Sequence, residues 1–235
     1  MAKQAWKIIL SCEHGGNKIP SPWRKHFCTE DRADIDTHRG WDIGALAIAR
    51  LLQKQFDCEL YFSTTTRLLV DLNRSPQHPH CFGISYRELS PEDKLAILTE
   101  HYFPYREAVS AALEKLHKKK QKILHVSVHS FTPVLRGEVR KADVALLYDP
   151  KRKQEKLWAD RWLEQMRHTE PQFRYRRNYP YLGTADAFTT ALRRQFPENA
   201  YAGLEVEVNQ KHIDSLVGQR AIAKLLIDSL APCLE

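Results

Sequence analysis

The chain lacks the cysteine pattern of a disulfide scaffold or of a thiolate zinc site. Its five cysteines are an odd number, and no two of them have C-x-x-C spacing, on which such frameworks depend. Long apolar runs are also missing. The first residues, MAKQAWKIILSCEHGG, hold only a short apolar stretch that leads directly into polar sequence, so we expect neither a signal peptide nor a membrane span of ~20 apolar residues. The sequence therefore predicts a cytoplasmic protein without a membrane partner.

The chain also lacks a recognised nucleic-acid-binding motif. Lys and Arg outnumber Asp and Glu by 36 to 29, which gives a formal charge of +7. The basic residues are spread along the chain and form no dense stripe with aromatic residues, so we do not expect nucleic acid as a partner. A positive balance is compatible with an anionic small molecule. The oligomeric state is left open by the sequence.

What the chain does contain is an alternation of apolar strands and amphipathic helices over 235 residues, of which 43% are hydrophobic. The length predicts one α/β domain over residues 1–235. Because strands that alternate with long helices need crossover connections, we expect a largely parallel sheet with its ligand site beyond the carboxyl ends of the strands. Strands are predicted over residues 5–11, 59–62, 68–70, 123–128, 144–148 and 201–208, and helices over 41–56, 91–120 (broken near Pro104), 151–166, 184–194 and 213–230.

Two histidines follow two of the predicted strands. His14 follows the first strand and precedes Gly15 and Gly16, which permit a tight turn and the close approach of a ligand. His129 follows the strand over residues 123–128. A lone histidine at a strand end is also typical of a polar rim, but two at the same sheet edge can each give a nitrogen to zinc. We predict that both are metal ligands.

A third protein ligand is expected, because catalytic zinc keeps three protein ligands and one open position. Asp42, near the start of the next helix, is the candidate; its alternative role is to offset the helix dipole. Glu13 and His38 are the other possibilities, although Glu13 neighbours His14 and would point to the opposite face of an extended strand. His125 is expected to lie deeper, in the core or behind the ligands.

Two acidic residues, Glu205 and Glu207, interrupt the last apolar strand. Carboxylates in such a strand are costly to bury unless they are paired or bind a metal. Glu207 lies nearer the carboxyl end, and we predict that it is the general base for a water whose pKa a metal lowers to about 7. For Glu205 we expect a salt bridge to an arginine.

Polar residues also follow the strand predicted over residues 68–70. Asn73 and Arg74 are candidates to bind a substrate carboxylate, since guanidinium can pair with it through two hydrogen bonds. Arg67 is a second candidate cation, and Asp71 can orient either Arg74 or a metal-binding histidine. An ordinary capped loop is the simpler interpretation of the string alone.

The loop over residues 176–184 contains two tyrosines and a glycine. It is a candidate substrate wall, with Tyr181 as the predicted substrate contact. The alternative is a rigid proline turn before a helix capped by Thr184.

Taken together, these segments resemble the N-formylglutamate amidohydrolase family, which is related to zinc carboxypeptidases and aspartoacylases. Each motif is short, but they occur in order over most of the chain. The matching pieces are HGG at 14–16 with Ile19 and Pro20, WDIGA at 41–45, RLLVDLNR at 67–74, VHS at 128–130, NYPYLG at 178–183 and EVN at 207–209.

The resemblance implies the zinc carboxypeptidase-like fold, a three-layer α/β arrangement with a mixed, mostly parallel sheet and helices on both faces. In that wider group a DLNR-like segment holds the substrate carboxylate, an H-S pair gives a zinc histidine, and a late strand carries the catalytic glutamate; residues 71–74, His129 and Glu207 match these. One departure is that Asn17 stands where carboxypeptidases have the glutamate of H-x-x-E. The formylglutamate-type motif instead has an aspartate at the position of Asp42.

The resulting hypothesis is a zinc-dependent amidohydrolase that cleaves a small N-acyl amino acid such as N-formylglutamate. Other divalent ions are also compatible with a His₂-carboxylate site. The alternatives are a peptidase or peptidoglycan amidase on the same fold, which would need an open groove, and a non-catalytic binding module for acidic ligands.

Overall fold

A six-stranded mixed sheet forms the centre of the computed structural model, which describes residues 6–234. The spatial order is β2-β1-β3-β8-β6-β7, in which β2, β1, β3 and β8 are parallel, while β6 and β7 run opposite to β8. A separate hairpin pairs β4 with β5. The strands are β1 (Trp6–Cys12), β2 (Glu59–Phe62), β3 (Lys122–Phe131), β4 (Val134–Leu135), β5 (Glu138–Val139), β6 (Val144–Leu147), β7 (Tyr175–Arg177) and β8 (Tyr201–Asn209).

Helices cover both faces of this sheet. One face packs against α2, α6 and α8, and the other against α5 and α7. The helices are α1 (Thr29–Asp34), α2 (Ala45–Phe56), α3 (Ile84–Arg87), α4 (Pro91–Ile97), α5 (Phe103–Lys118), α6 (Lys153–Thr169), α7 (Phe188–Gln195) and α8 (Leu216–Leu234). The predicted three-layer α/β fold with a mostly parallel sheet is therefore confirmed. No helix within residues 6–234 is long and apolar enough to cross a membrane.

Alternation along the central strands divides the core between the two faces. Leu10 and Leu124 pack in the cluster under α2, α6 and α8, whereas Ile9 and Ile123 pack in the cluster under α5 and α7. Because helices cover both faces, these strands are buried along nearly their whole length, as is typical of parallel sheets.

His125 is a core residue, as predicted. Its side chain is fully buried, with Nδ1 2.8 Å from the Tyr201 hydroxyl and Nε2 2.8 Å from Ser11 Oγ. Burial lowers the pKa of His125 to about 4. The imidazole is therefore neutral at physiological pH and belongs to the packing of β3 against β1 and β8.

Two predictions about elements were wrong. Residues 68–70 form a turn rather than a strand: the Leu69 amide donates to Thr66 O, and Leu69 and Val70 are buried in a separate apolar cluster beside α3 and α4. A short apolar run is equally suited to a buried strand or a buried turn. The helix predicted from Thr184 begins only at Phe188, and no side chain of its own N-cap residue caps it.

The predicted break near Pro104 is confirmed. The chain passes from α4 through a π-helical turn, Leu98–Tyr102, into α5, and the Phe103 amide donates to Leu98 O. Pro104 has no amide hydrogen for the usual i to i−4 bond, so the regular hydrogen-bond pattern cannot continue through it, and the wider turn lies at this interruption.

Candidate metal centre

The backbone brings the first two candidate ligands together where β1 ends. A Cβ on Gly15 would lie 2.8 Å from Ser63 O, and one on Gly16 would lie 2.7 Å from Thr64 O. Only glycine therefore permits this loop to pass so close to the chain that follows β2. The Asp42 amide then donates to His14 O at 2.9 Å, which ties the segment before α2 to the end of β1.

Three side chains converge at this point. Asp42 Oδ2 lies 3.4 Å from Nδ1 of His14 and 2.8 Å from Nδ1 of His129. One ligand atom from each residue lies within 4.8 Å of the others, and all three side chains are buried. Within residues 6–234 this is the one such group of three or more His, Cys, Asp or Glu residues. Glu13 and His38, the alternative third ligands, are not members of it.

The donor set fits a divalent metal of the zinc type. Two imidazole nitrogens and one carboxylate oxygen are ligands that catalytic zinc uses, and they leave a position open. The second nitrogen of each imidazole faces a carboxylate, as is usual for metal-binding histidine. His14 Nε2 lies 2.7 Å from Asp71 Oδ1, and His129 Nε2 lies 3.2 Å from Glu13 Oε2.

Electrostatics favour the charged forms of these groups. Burial opposes ionisation of Asp42, but His14 and His129 outweigh it and hold the pKa of this carboxyl well below its usual range. Burial lowers the pKa of His129, yet hydrogen bonds and charge from Asp42 and Glu13 raise it well above the ordinary value. In the metal-free protein the two carboxylates therefore favour a proton on His129, and a metal ion would have to displace that proton, because a metal binds neutral imidazole.

Two contributors to this centre were missed from the sequence. The Ser127 hydroxyl donates to Glu13 Oε2 at 2.6 Å, and the Tyr105 hydroxyl donates to Glu13 Oε1 at 3.0 Å. Ser127 lies two residues before His129 and so shares its face of β3, which is a signal the sequence did offer. Tyr105 comes from α5, and its pairing with Glu13 depends on how that helix packs on the sheet.

Glu207 faces the same space from the neighbouring strand. It is in register with His129 across β3 and β8, and its Oε2 is buried without a hydrogen-bond partner among the described residues. Burial raises the pKa of Glu207 from 4.5 to about 8, with Asp42 and Glu205 adding to the rise, while His129 opposes it. An unsatisfied buried carboxyl is unusual, and it is well placed to exchange a proton.

Glu205 does not form the predicted salt bridge. Its Oε1 accepts from Thr189 Oγ1 at 2.5 Å, and it has no ion pair within residues 6–234. The reason is that Arg193, the cation on the neighbouring helix α7, is already paired with Glu155 at 3.0 Å.

The segment predicted to bind substrate places its two arginines in different environments. Arg67 donates from Nη2 to Asp71 Oδ2 at 2.5 Å and from Nη1 to Asp42 Oδ1 at 3.5 Å, so two carboxylates neutralise it. Arg74 donates from Nη1 to the Asp186 carbonyl at 2.5 Å and has no ion pair within the described residues. Arg74 is therefore the less compensated cation of the two.

Asn73 and Tyr181, the other two predicted substrate contacts, differ in their surroundings. Asn73 Oδ1 accepts from the Phe188 amide at 2.7 Å, so Asn73 caps α7, and not Thr184 as in the alternative interpretation of this loop. Tyr181 is 44% exposed, and its hydroxyl accepts from Arg140 Nη1 at 3.3 Å.

A cavity of about 240 Å³ is lined by nearly all of the residues considered for the site from the sequence; Glu13 and Asp71 are the exceptions. Every ligand, base and substrate contact named from the sequence lines it, as does the alternative ligand His38, whose pKa burial lowers. The lining residues are His14, His38, Asp42, Arg67, Asn73, Arg74, His129, Ser130, Phe131, Thr132, Leu147, Tyr181, Leu182, Ala185, Ala187, Glu205 and Glu207.

Comparison with known proteins gives one family and several similar structures. The model of the N-formylglutamate amidohydrolase family matches residues 6–213. A gene product of Agrobacterium tumefaciens is 27% identical, with a TM-score of 0.82 over 99% of this chain and 93% of that one. The N-formylglutamate amidohydrolase of Ralstonia eutropha is 17% identical, with a TM-score of 0.72 over 98% and 94%, and so shares the fold. No curated protein sequence matches the chain significantly.

Proposed function

The chain belongs to the N-formylglutamate amidohydrolase family, and we propose that it is a zinc-dependent hydrolase of a small N-acyl amino acid, such as an N-formyl amino acid. The products are a free amine and a small acid, which is formate for an N-formyl substrate. N-Formylglutamate is the first substrate to test.

The observation that carries this proposal is the meeting of a metal donor set with an unpaired carboxyl. His14, Asp42 and His129 converge on one point, and Glu207, whose buried Oε2 has no hydrogen-bond partner among the described residues, lines the same cavity. A binding module has no need of a buried carboxyl with a raised pKa. Perturbed carboxyls in clefts are typical of catalytic acids and bases.

His14, Asp42 and His129 would hold the metal. When bound, a divalent cation supplies Lewis acidity that polarises an amide carbonyl and acidifies water, and its charge favours the ionised form of nearby Glu207. Glu207 then accepts a proton from the attacking water at Oε2 and delivers it to the leaving nitrogen. Asp71 and Glu13 keep the two imidazoles in the orientation that binding requires.

Substrate recognition is assigned to Arg74, the cavity arginine that has no ion pair within the described residues. Arg74 lines the cavity without a carboxylate of its own, so it binds the carboxylate of an acidic substrate. Arg67 is held by Asp71 and Asp42 and instead fixes the carboxylates around His14. Asn73 and Tyr181 complete the wall of the cavity.

The size of the cavity supports a small substrate. About 240 Å³ lies below the ~300–1,000 Å³ of sites for drug-sized ligands. A peptidase or peptidoglycan amidase acts on longer substrates and needs an open groove at its catalytic centre. The site therefore favours a single acylated amino acid.

The test is an activity screen of the zinc-loaded protein against N-formyl, N-acetyl and N-succinyl amino acids, with glutamate and leucine as the amino acid. We expect hydrolysis of at least one acyl-glutamate and a preference for glutamate over leucine. No hydrolysis of any member would contradict the proposal.

Glu207→Gln tests the assignment of the base, because it keeps the size of the side chain while removing the carboxylate that accepts the proton. We expect a loss of kcat of about 10²-fold to 10⁴-fold, the usual contribution of general acid-base catalysis, with zinc content unchanged. Near-normal turnover by this variant would refute the assignment of the base.

A further inference from the structure

A second, larger groove lies between α2 and the beginning of α8. Its volume is about 620 Å³, compared with about 240 Å³ for the cavity at the metal centre, and no residue is shared by the two. The volume is in the range of small-molecule sites. The lining residues are Gly15, Trp41, Gly44, Leu46, Ala47, Arg50, Leu51, Lys54, Leu216, Gln219 and Arg220.

One end of this groove is apolar. Trp41 and Leu46 line it next to Gly15, the glycine that follows His14. Leu216, the first residue of α8, also lines the groove and is 69% exposed. Val217 beside it is also exposed. Two adjacent aliphatic side chains are therefore exposed at this end of the groove, and exposed apolar surface rimmed by polar residues is a feature of binding sites.

The other end is cationic. Arg50 and Lys54 lie one turn apart on α2, and Arg220 reaches the groove from α8. All three side chains are exposed, and none of them has an ion pair within residues 6–234. None of the described residues that line the groove is acidic. The positive charge of this groove is therefore not compensated by the groove itself.

We propose that this groove binds a small anionic amphiphile, a molecule with one unbranched apolar chain and one anionic head. The chain lies against Trp41, Leu46 and Leu216, and the head pairs with Arg50, Lys54 and Arg220. The helix α2 rises by about 10 Å from Ala47 to Lys54. The groove therefore matches a ligand whose apolar chain is of medium length. The site is separate from the metal centre and does not depend on the function proposed above.

A second copy of the chain is a poorer occupant. In a two-fold dimer the same patch faces itself, so the three cations of one copy would be brought near those of the other. Like charges brought together across an interface are unfavourable. An anionic ligand removes this repulsion, and an apolar chain covers Leu216 at the same time.

Calorimetric titration of the full-length protein with decanoate, below the concentration at which it forms micelles, tests the proposal. Decyl phosphate tests the other common anionic head, 1-decanol has no charge, and acetate has no chain. We expect saturable one-to-one binding of decanoate or decyl phosphate, binding of 1-decanol weaker by at least about tenfold, and no binding of acetate. Equal binding of 1-decanol and the anions, or no saturable binding of any probe, would overturn the proposal.

Two variants locate the binding. Lys54→Glu/Arg220→Glu reverses two of the three exposed cations at the cationic end, and we expect it to weaken anion binding by at least about tenfold. Lys115→Glu/Lys119→Glu makes the same change of net charge on exposed residues at the end of α5, on the opposite face of the sheet. We expect this control to bind within about twofold of the wild type.

Leu216→Glu, which places a carboxylate at the apolar end, is also expected to abolish binding of the anions. If both double variants weaken binding equally, the titration reports net charge alone and the groove is not the site. Self-association of the wild type that Leu216→Glu abolishes, without any binding of decanoate, would identify a second copy as the occupant instead.

Discussion

Glu207 has the one buried carboxylate oxygen without a hydrogen-bond partner among the residues described. Burial favours its protonated form and raises its pKa from 4.5 to about 8. Between these two values the folded protein holds a proton that the unfolded chain has released. The contribution of Glu207 to the free energy of unfolding of the metal-free protein therefore falls as the pH rises through this window.

The first prediction compares the metal-free wild type with Glu207→Gln, in which this titration is removed. We expect the variant to gain stability relative to the wild type as the pH rises from about 5 to about 8. Urea unfolding in EDTA at both pH values measures the difference. Parallel pH profiles of the two proteins would show that Glu207 is already ionised in the folded state at low pH.

The second prediction at this scale concerns Arg74. It has the same chemistry as Arg67 but, unlike Arg67, no carboxylate partner among the described residues. A hydrogen bond to a charged group contributes about 1.5–3 kcal/mol, so Arg74→Ala should raise KM for an acidic substrate by roughly tenfold to a hundredfold. Arg74→Lys should recover part of this loss, since it restores the charge but not the paired geometry. Steady-state kinetics with N-formylglutamate measure the effect.

The matched controls for Arg74 are an exposed arginine and a substrate whose side chain is uncharged. Arg24→Ala, a change on the surface, should leave KM unchanged. Arg74→Ala should also have little effect on N-formylleucine if Arg74 binds the side-chain carboxylate, and a full effect if it binds the α-carboxylate. An unchanged KM for both substrates would remove Arg74 from substrate binding.

Individual residues were predictable where the strand ends and the family motifs coincide. His14 follows β1, and His129 lies near the carboxyl end of β3, which is its neighbour in the sheet; Asp42 was chosen from its motif. The partner of Glu205 was not predictable, because it depends on Arg193 being already engaged by Glu155. Competition between ion pairs is settled in three dimensions and leaves no pattern in the sequence.

At the scale of elements, the packing of α5 on the sheet supports the metal centre from behind. Tyr105 reaches from α5 to Glu13 at the end of β1, and Glu13 in turn faces His129 on β3. This chain of contacts fixes the orientation of the imidazole. Groups that hold a metal-binding histidine in this way typically change metal affinity by about 10-fold to 100-fold when they are removed.

Tyr105→Phe is therefore expected to weaken zinc binding by about tenfold or more while the protein stays folded. Competition with a fluorescent zinc chelator measures the dissociation constant. Tyr61→Phe is the control, because Tyr61 donates only to the exposed Glu59 and should bind zinc like the wild type. Equal zinc affinity in the two variants would show that the Tyr105 hydroxyl does not contribute to metal binding.

Elements were predicted well where length and periodicity agree, as for β2 and for the helical region interrupted before Pro104. The turn at residues 68–70 was not predicted, because a run of three apolar residues is compatible with a buried turn and with a buried strand equally. The sequence also does not predict the direction of β6 in the sheet. It runs antiparallel to β8, although nothing in its four buried residues distinguishes the two directions.

At the scale of the whole molecule, the metal centre connects parts of the chain that are far apart in sequence. Its three candidate ligands come from the end of β1, from the segment before α2 and from β3. A metal at this point would therefore act as a cross-link between the sheet and the segment that precedes α2. A ligand that binds only the folded state stabilises it by mass action.

Zinc should consequently raise the melting temperature. Free zinc at 100 times its dissociation constant stabilises the folded state by about 2.7 kcal/mol, and in a chain of this length each kcal/mol shifts Tm by roughly 2–4 °C. We expect a rise of roughly 5–11 °C over the EDTA-treated protein, measured by differential scanning calorimetry. His14→Ala should lose most of this shift, whereas His80→Ala, a change at an exposed histidine, should retain it. An equal shift in both variants would mean that zinc stabilises the protein from another site, and the assignment of His14 would fall.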